Sequence, residues 1–325
     1  SSSIFCAGYD CRIYRFKNIP KMSFNIDHLD SQKGKVAIVT GANSGLGKEI
    51  TIGLAKKEVK VIMACRNIKK ATNTKFQIIK TIPSANIEIM ELDLNSLTSV
   101  RSFVKSFCEN YNQLNFLIEN AGIMIPPYSK TEDGFESQMG VNYFSHFLLT
   151  NLLMPTLNKT DGARIVTTSS IAHENGRIDF NNLNSKSSYS KMGAYGQSKL
   201  ACLMFAYELQ RRLNKAGSKV IAVSCHPGVS KTNLFSNIPK FIQVLMTPLM
   251  SIYTHPPKKA ALPMLYAVLK DDVKGGDYFG PTGFRGMKGE PGKVNSKPHS
   301  KDKDVAIKLW EVSEKLTGEK FEVNK

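Results

Sequence analysis

The chain has 325 residues, 42% of them hydrophobic and 22% charged, an ordinary balance for a soluble globular protein with a sizeable core. A formal net charge of +17 favours acidic partners, but the lysines are scattered without a basic, aromatic-interleaved stripe, which argues for solubility and against nucleic acid. Six cysteines without a CxxC pair, no HExxH, and no run near the roughly 20 apolar residues of a spanning helix exclude a disulfide framework, a structural metal and a membrane span.

Residues 1–34 read as an N-terminal extension, partly disordered. Its opening, SSSIFCAGYDCRIYRFKNIPKM, has no starting methionine and no unbroken apolar core of a signal peptide. The expectation is a segment ahead of a natural start at Met22, in a cytoplasmic protein. From Lys35 a regular alternation begins. KVAIVT (35–40) is a strand, followed by glycines and the helical spacing of KEITIGLAKKE. KVIMAC (60–65), NIEIMELDL (86–94), NFLIEN (115–120), ARIVTTSS (163–170) and KVIAVSC (219–225) are further strands, and YFG (278–280) a short seventh. Amphipathic stretches such as LTSVRSFVKSFCENY lie between them. Cys65 and Cys225 fall in or beside apolar strands and read as buried thiols.

Apolar strands alternating with helices predict an α/β fold: a single doubly wound parallel sheet with helices on both faces. Ligands of such folds bind at the carboxyl ends of the strands. Residues 35–325 read as one domain. The Pro-, Met- and Phe-rich segment 231–263 falls where a substrate-covering insertion would. Glycines at 280, 283, 286, 289 and 292 repeat every third residue, but so few cannot build a triple helix, and the stretch reads as a loop. Residues 303–318 read as a terminal helix, with Val305, Ile307, Leu309, Val312 and Leu316 as its apolar positions.

VTGANSGLGKEI joins the first strand to the first helix. Gly41, Gly45 and Gly47 form TGxxxGxG, which lets the backbone approach a pyrophosphate while the helix N-terminus offers it free N–H groups. Asn43, Ser44 and Leu46 belong to the same loop. An NAD(H) site wants a carboxylate after the second strand; Ala64, Cys65, Arg66 and Asn67 stand there instead. Arg66 can pair with a 2′-phosphate, which favours NADP(H) over NAD(H). Asp93, after the third strand, reads equally as an acceptor for an adenine amino group and as a strand-end turn residue.

The fifth strand ends at Ser169 and Ser170. Tyr195 and Lys199 follow on a helix, four positions apart and on one face. An ammonium beside a phenol stabilises the phenolate and suits it to general acid–base work. Each feature alone is commonplace; their order behind a phosphate loop is not. With TGANSGLG, LDL, NAG, SS, YGQSK and HPG in sequence, the chain resembles the short-chain dehydrogenase/reductase superfamily, with its Rossmann fold, over residues 33–320. MACRN, VNYFSHFLLTNLL, YGQSKLACLMF and CHPGVSKTNL resemble its retinol-dehydrogenase-like branch.

The resemblance implies roles. Tyr195 donates a proton to a carbonyl oxygen as hydride arrives from the nicotinamide. Lys199 holds the nicotinamide ribose, Ser170 binds the substrate oxygen, and Asn142 holds a water that relays protons to Lys199. Asn120, Ala121 and Gly122 lie beside the cofactor, and Pro227, Gly228 and Thr232 contact the carboxamide region. It also implies a small apolar carbonyl or alcohol substrate, and a homodimer or homotetramer built on long helices. Leu203, Phe205 and Leu209 continue the apolar face of the Tyr195 helix. Many relatives in the branch carry an N-terminal membrane anchor; this sequence shows none, leaving peripheral association open. Two alternatives stand beside this reading. A silent NADP(H)-binding protein would not need the tuned tyrosine, and sugar-nucleotide epimerases usually carry TGxxGxxG. One position departs from the family pattern NNAG: Glu119 takes the place of the first asparagine.

Overall fold

The computed structural model describes residues 23–228 and 256–324. Eight strands form one sheet: β1 (Val36–Thr40), β2 (Lys60–Cys65), β3 (Ile87–Glu91), β4 (Phe116–Glu119), β5 (Arg164–Thr168), β6 (Ile221–Cys225), β7 (Tyr278–Pro281) and β8 (Pro291–Lys293). Their order is β3-β2-β1-β4-β5-β6-β7-β8, parallel except for β8, which runs antiparallel to β7. The order reverses between β1 and β4, and this switch point opens a crevice at the carboxyl ends of the strands. The final hairpin corrects the reading of the glycine-rich stretch as a loop. Its two ends pair as strands, with Gly280 opposite Gly292 and Pro281 opposite Pro291. Short strands flanked by glycine carry no alternating apolar pattern by which a sequence reading could find them.

Both faces of the sheet are covered, so β1 is buried at all five positions and reads as a continuous apolar run. Its alternate side chains still enter different cores. Ala37 and Val39 face the layer of α1 (Gly45–Lys56), α2 (Ile68–Thr81) and α8 (Leu262–Leu269), which follows the single turn α7 (Pro257–Ala260). Val36 and Ile38 face the layer of α3 (Leu97–Asn110), α5 (Ser145–Asn158), α6 (Lys191–Lys215) and α9 (Lys303–Thr317). Phe24, Ile26 and Leu29 pack onto the first of these layers, and the Lys57 Nζ donates to the carbonyls of Asp27 and Leu29 at 3.2 and 2.6 Å. Between β4 and α5 the chain makes one helical turn, α4 (Ser137–Met139), and a π-bulge over Gly140–Phe144.

The terminal helix α9 lies across α5 and α6. Its buried positions are Ala306, Leu309, Trp310, Ser313 and Thr317, with Val305, Val312 and Leu316 only partly covered. Of the apolar positions, Leu309 lies in the buried stripe and Val305, Val312 and Leu316 flank it against the same core. Hydroxyls can enter it because each is paired: Ser313 Oγ donates to the Leu309 carbonyl at 2.7 Å and bonds to the Tyr143 hydroxyl at 2.8 Å, and Thr317 Oγ1 donates to the Ser313 carbonyl at 2.8 Å. Trp310 anchors the contact, with ring centroids 5.2 Å from Phe147, 5.7 Å from Phe205 and 4.5 Å from Phe321. Leu203, Phe205 and Leu209 are thus buried inside the chain, Phe205 beneath α9, and do not form an exposed assembly face. Residues 231–255 of the expected covering segment lie outside the described residues. No described helix is long and apolar enough to cross a membrane.

Truncating the aromatic anchor removes its contacts with both α5 and α6. Trp310→Ala is expected to cost about 3–5 kcal/mol in urea-induced unfolding, against about 1 kcal/mol or less for the half-buried Val312→Ala; equal losses would place the anchor elsewhere on α9.

Candidate active site

The crevice is shaped by close approach of backbone. Gly41 follows β1 with φ +67°, and a Cβ built on it would lie 3.0 Å from the Ala121 Cβ. On Gly47 a Cβ would lie 2.3 Å from the Gly41 carbonyl oxygen and 2.6 Å from Asn120 Nδ2. Only glycine fits, and the start of α1 is thereby seated on the ends of β1 and β4. Ser44, at the N-cap of α1, makes no side-chain capping bond, so the first amides of the helix face the crevice without a side-chain partner among the described residues. Asn120 Nδ2 donates to the Thr40 carbonyl at 2.9 Å, while its Oδ1 is buried without a partner among the described residues. A glycine cradle, an uncapped helix and an orphaned acceptor fit a dinucleotide, whose phosphates and amide groups supply what these groups lack.

Around the cradle, the Asn43 carbonyl accepts from Thr74 Oγ1 at 3.0 Å, and Leu46 is half-buried against the α1 core. Arg66 leaves β2 exposed, its Nη1 3.9 Å from Asp93 Oδ1. That same oxygen accepts the Asn95 N–H at 2.9 Å, so Asp93 forms the strand-end turn. Lys48 reaches away to Gln77 Oε1 at 2.8 Å.

Residues expected to carry the chemistry meet on the far side of the switch point. Lys199 is 4% exposed, and its Nζ donates to the Thr168 carbonyl at 3.0 Å and stands 5.9 Å from the centre of the Tyr195 ring. Asn142 lies in the π-bulge, a distortion frequent at functional sites. Its Nδ2 donates to the Ile123 carbonyl at 3.0 Å and to Ser198 Oγ at 2.9 Å, and its Oδ1 accepts the Ile123 N–H at 2.8 Å. Ser198 Oγ in turn donates to the Tyr195 carbonyl at 2.8 Å. A Cβ on Gly122 would lie 3.1 Å from Asn142 Oδ1 and 3.3 Å from Lys199 Nζ, so three expected residues converge on one point.

Ser170 caps the 3-10 turn Ile171–Asn175, its Oγ accepting the Ala172 N–H at 3.2 Å. Ser169 is buried, its Oγ donating to the Lys199 carbonyl at 2.9 Å. The turn and α6 are in contact: a Cβ on Gly176 would lie 2.4 Å from the Gly196 carbonyl, one residue past Tyr195. Pro227 and Gly228 follow β6, with the Gly228 N–H donating to His226 Nδ1 at 3.3 Å. Thr232 lies outside the described residues. Sequence reasoning passed over Thr40, Ser198 and His146, which hold these groups in place. A histidine within the apolar run FSHFLLT, one turn after Asn142, was the available signal. Among the described residues no cluster of His, Cys, Asp and Glu could hold a metal.

A family model described as short chain dehydrogenase matches residues 35–243. Retinol dehydrogenase 14 of Mus musculus is 38% identical over 301 residues, covering 88% of this chain and 86% of its own. Polyprenol dehydrogenase of Danio rerio is 36% identical over 321 residues, covering 97% and 95%. The crystal structure of an uncharacterized protein from Mycobacterium paratuberculosis superposes with a TM-score of 0.77 at 39% identity, covering 93% of this chain and 100% of that one.

Glu119, the departure from NNAG, ends β4 on the side away from the α1 layer and is 4% exposed. Its Oε1 accepts the Thr150 hydroxyl, and desolvation lifts its pKa to about 8, only partly opposed by that bond. The residue is therefore a buried neutral acid. The native state keeps a proton that the unfolded chain releases near pH 4.5, so this contribution is full below that pH and is lost as pH rises through about 8. In thermal melts Glu119→Gln, which does not titrate, should gain on the native chain from pH 5 to pH 8 by up to roughly 1.4 kcal/mol per unit. Parallel curves for the two proteins would refute the buried neutral acid.

Proposed function

Since the chain belongs to the short-chain dehydrogenase family, in its retinol-dehydrogenase-like branch, we propose that it moves hydride between NADP(H) and a carbonyl/alcohol pair on an apolar substrate. The observation that carries this reading is the convergence of Asn142 Oδ1 and Lys199 Nζ at Gly122, with the Tyr195 ring over the same ammonium. A silent cofactor-binding protein would not need to keep a buried lysine beside a tyrosine at the strand ends.

The nicotinamide, when bound, supplies or takes the hydride. The residues of the chain do the rest. Gly41, Gly45 and Gly47, with the amides of Asn43, Ser44 and Leu46 and the start of α1, hold the pyrophosphate. Asn120, Ala121 and Gly122 line the cofactor's path, and Asp93 accepts from the adenine amino group. Arg66 leaves its long contact with Asp93 for the 2′-phosphate, a better partner for its planar fork. Pro227, Gly228 and Thr232 border the carboxamide. In reduction, Ser170 Oγ holds the carbonyl oxygen and the Tyr195 hydroxyl gives it a proton. The Lys199 ammonium stabilises the phenolate that remains and holds the ribose. Asn142 holds the water through which Lys199 exchanges protons.

An apolar substrate agrees with the names of two relatives, which describe a retinol and a polyprenol dehydrogenase, and with the Pro-, Met- and Phe-rich composition of residues 231–263. A cytoplasmic location, and assembly as a homodimer or homotetramer by a face other than the one under α9, belong to the same proposal.

A panel of retinal, other aldehydes, ketosteroids and quinones, assayed separately with NADPH and NADH, should show turnover of at least one apolar carbonyl with NADPH. Tyr195→Phe should lower that kcat by about 10²–10⁴-fold; no turnover across the panel, or an unaffected Tyr195→Phe, defeats the reading. Arg66→Ala should raise KM for NADPH by about 10- to 100-fold, the loss of a charge-assisted pairing, and leave KM for NADH unchanged. Equal effects on both cofactors would remove Arg66 from the choice between them.

A further inference from the structure

One imidazole joins the cofactor loop to the proton-handling side of the site. His146 is 3% exposed on α5, one turn beyond Asn142. Its Nδ1 is 3.0 Å from the Asn142 carbonyl oxygen and its Nε2 3.0 Å from the Thr40 hydroxyl. A carbonyl can only accept, so Nδ1 carries the hydrogen and Nε2 is an acceptor. The Thr40 hydroxyl then donates to Nε2, which at 3.0 Å is nearer than the Ile118 carbonyl at 3.5 Å, and accepts the Ala121 N–H at 2.9 Å. Burial, reinforced by the nearby Lys199 charge, pulls the His146 pKa down to about 4 and keeps this one neutral tautomer at neutral pH.

Each end of the bridge continues into the site. Thr40 closes β1 immediately before Gly41, and its carbonyl holds the Asn120 amide against which Gly47 is packed. At the other end the Asn142 carbonyl also accepts the Cys202 thiol at 3.2 Å, so both of its lone pairs are engaged. Asn142 Oδ1, which accepts the Ile123 N–H, and Lys199 Nζ lie 3.1 and 3.3 Å from the same point, where a Cβ on Gly122 would stand. The bridge thus holds the backbone of the residue whose side-chain oxygen stands near Lys199.

We propose that His146 is a positioning residue that couples the dinucleotide loop to the Asn142–Lys199 pair, so that both keep one geometry. This rests on the oxidoreductase reading for its catalytic consequence, but not for the coupling itself. His146→Phe removes both bonds, while His146→Gln keeps a donor and an acceptor one atom apart, as in the ring. In the cofactor-free chain, amide hydrogen exchange at Ala121 and Ile123 should quicken tenfold or more in His146→Phe and stay near native in His146→Gln. NADPH affinity, read from the enhancement of its own fluorescence, should fall several-fold and recover in the same pattern. Where turnover is measured, kcat should drop at least tenfold in His146→Phe. The double variant with Thr40→Val should lose no more than the weaker single variant, because one link is broken once.

Native exchange and affinity in a folded His146→Phe, or additive losses in the double variant, overturn the coupling. Should His146→Phe not fold, Thr40→Ser, which keeps the hydroxyl, is compared with Thr40→Val. Because Thr40→Val also frees the Ala121 amide directly, the comparison is read at Ile123, whose N–H is bonded to Asn142 Oδ1. Native-like exchange there in Thr40→Ser beside faster exchange in Thr40→Val supports the bridge, and identical behaviour at Ile123 refutes it. A wild-type chain that binds NADPH but reduces no carbonyl would defeat the oxidoreductase reading, and exchange and affinity would still decide the bridge.

Discussion

The seating of α1 on the ends of β1 and β4 is the constraint from which the site follows. With no Cβ at Gly47, the helix comes close enough for a side chain there to have met the Gly41 carbonyl at 2.3 Å. That approach leaves the first amides of α1 in the crevice at the switch point, where a negative group is the natural partner. It also presses the loop against Asn120 and Ala121. The contact that shapes the glycine cradle therefore also places the segment that leads through Gly122 to Asn142 and Lys199.

Burial of polar groups around this point follows one rule with different outcomes. Lys199, His146, Asn142 and Glu119 are all nearly inaccessible, and each has partners. Glu119 resolves its burial by staying protonated against Thr150. His146 resolves it by staying neutral with both nitrogens bonded. Lys199 keeps donors beyond its bond to Thr168, and Asn120 keeps an oxygen unpartnered among the described residues. These residual valences, rather than burial alone, separate the groups poised to meet a ligand from those that brace them.

The second helical layer adds a limit on how the molecule presents itself. Trp310 and Phe321 close over Phe205, so the apolar length of α6 is used within the chain. The arginine beside it, Arg212, stacks its guanidinium 4.2 Å from the Trp310 ring centre while its Nε bonds Glu208 at 2.6 Å. The face that would otherwise offer leucine and phenylalanine to a neighbour is finished with an aromatic cap and a charged rim.

Period and punctuation were legible without coordinates. β-branched runs between amphipathic stretches marked seven of the eight described strands, and TGxxxGxG, SS, and the Tyr195–Lys199 spacing marked both halves of the candidate site, because these are local properties of backbone and helix geometry. The hairpin that adds β8 was not legible, since glycine and proline hide its pairing until β7 supplies the partner. Neither was the stripe of α9, where Ser313 and Thr317 turn inward only because the helix's own carbonyls and Tyr143 satisfy them. The fate of Glu119, the covering of Phe205 and the bridge from Thr40 through His146 to Asn142 were decided by tertiary structure alone. Each depends on which side chain stands across a gap from a residue distant in sequence, and whether a polar group finds a partner there is settled only when the chain is packed.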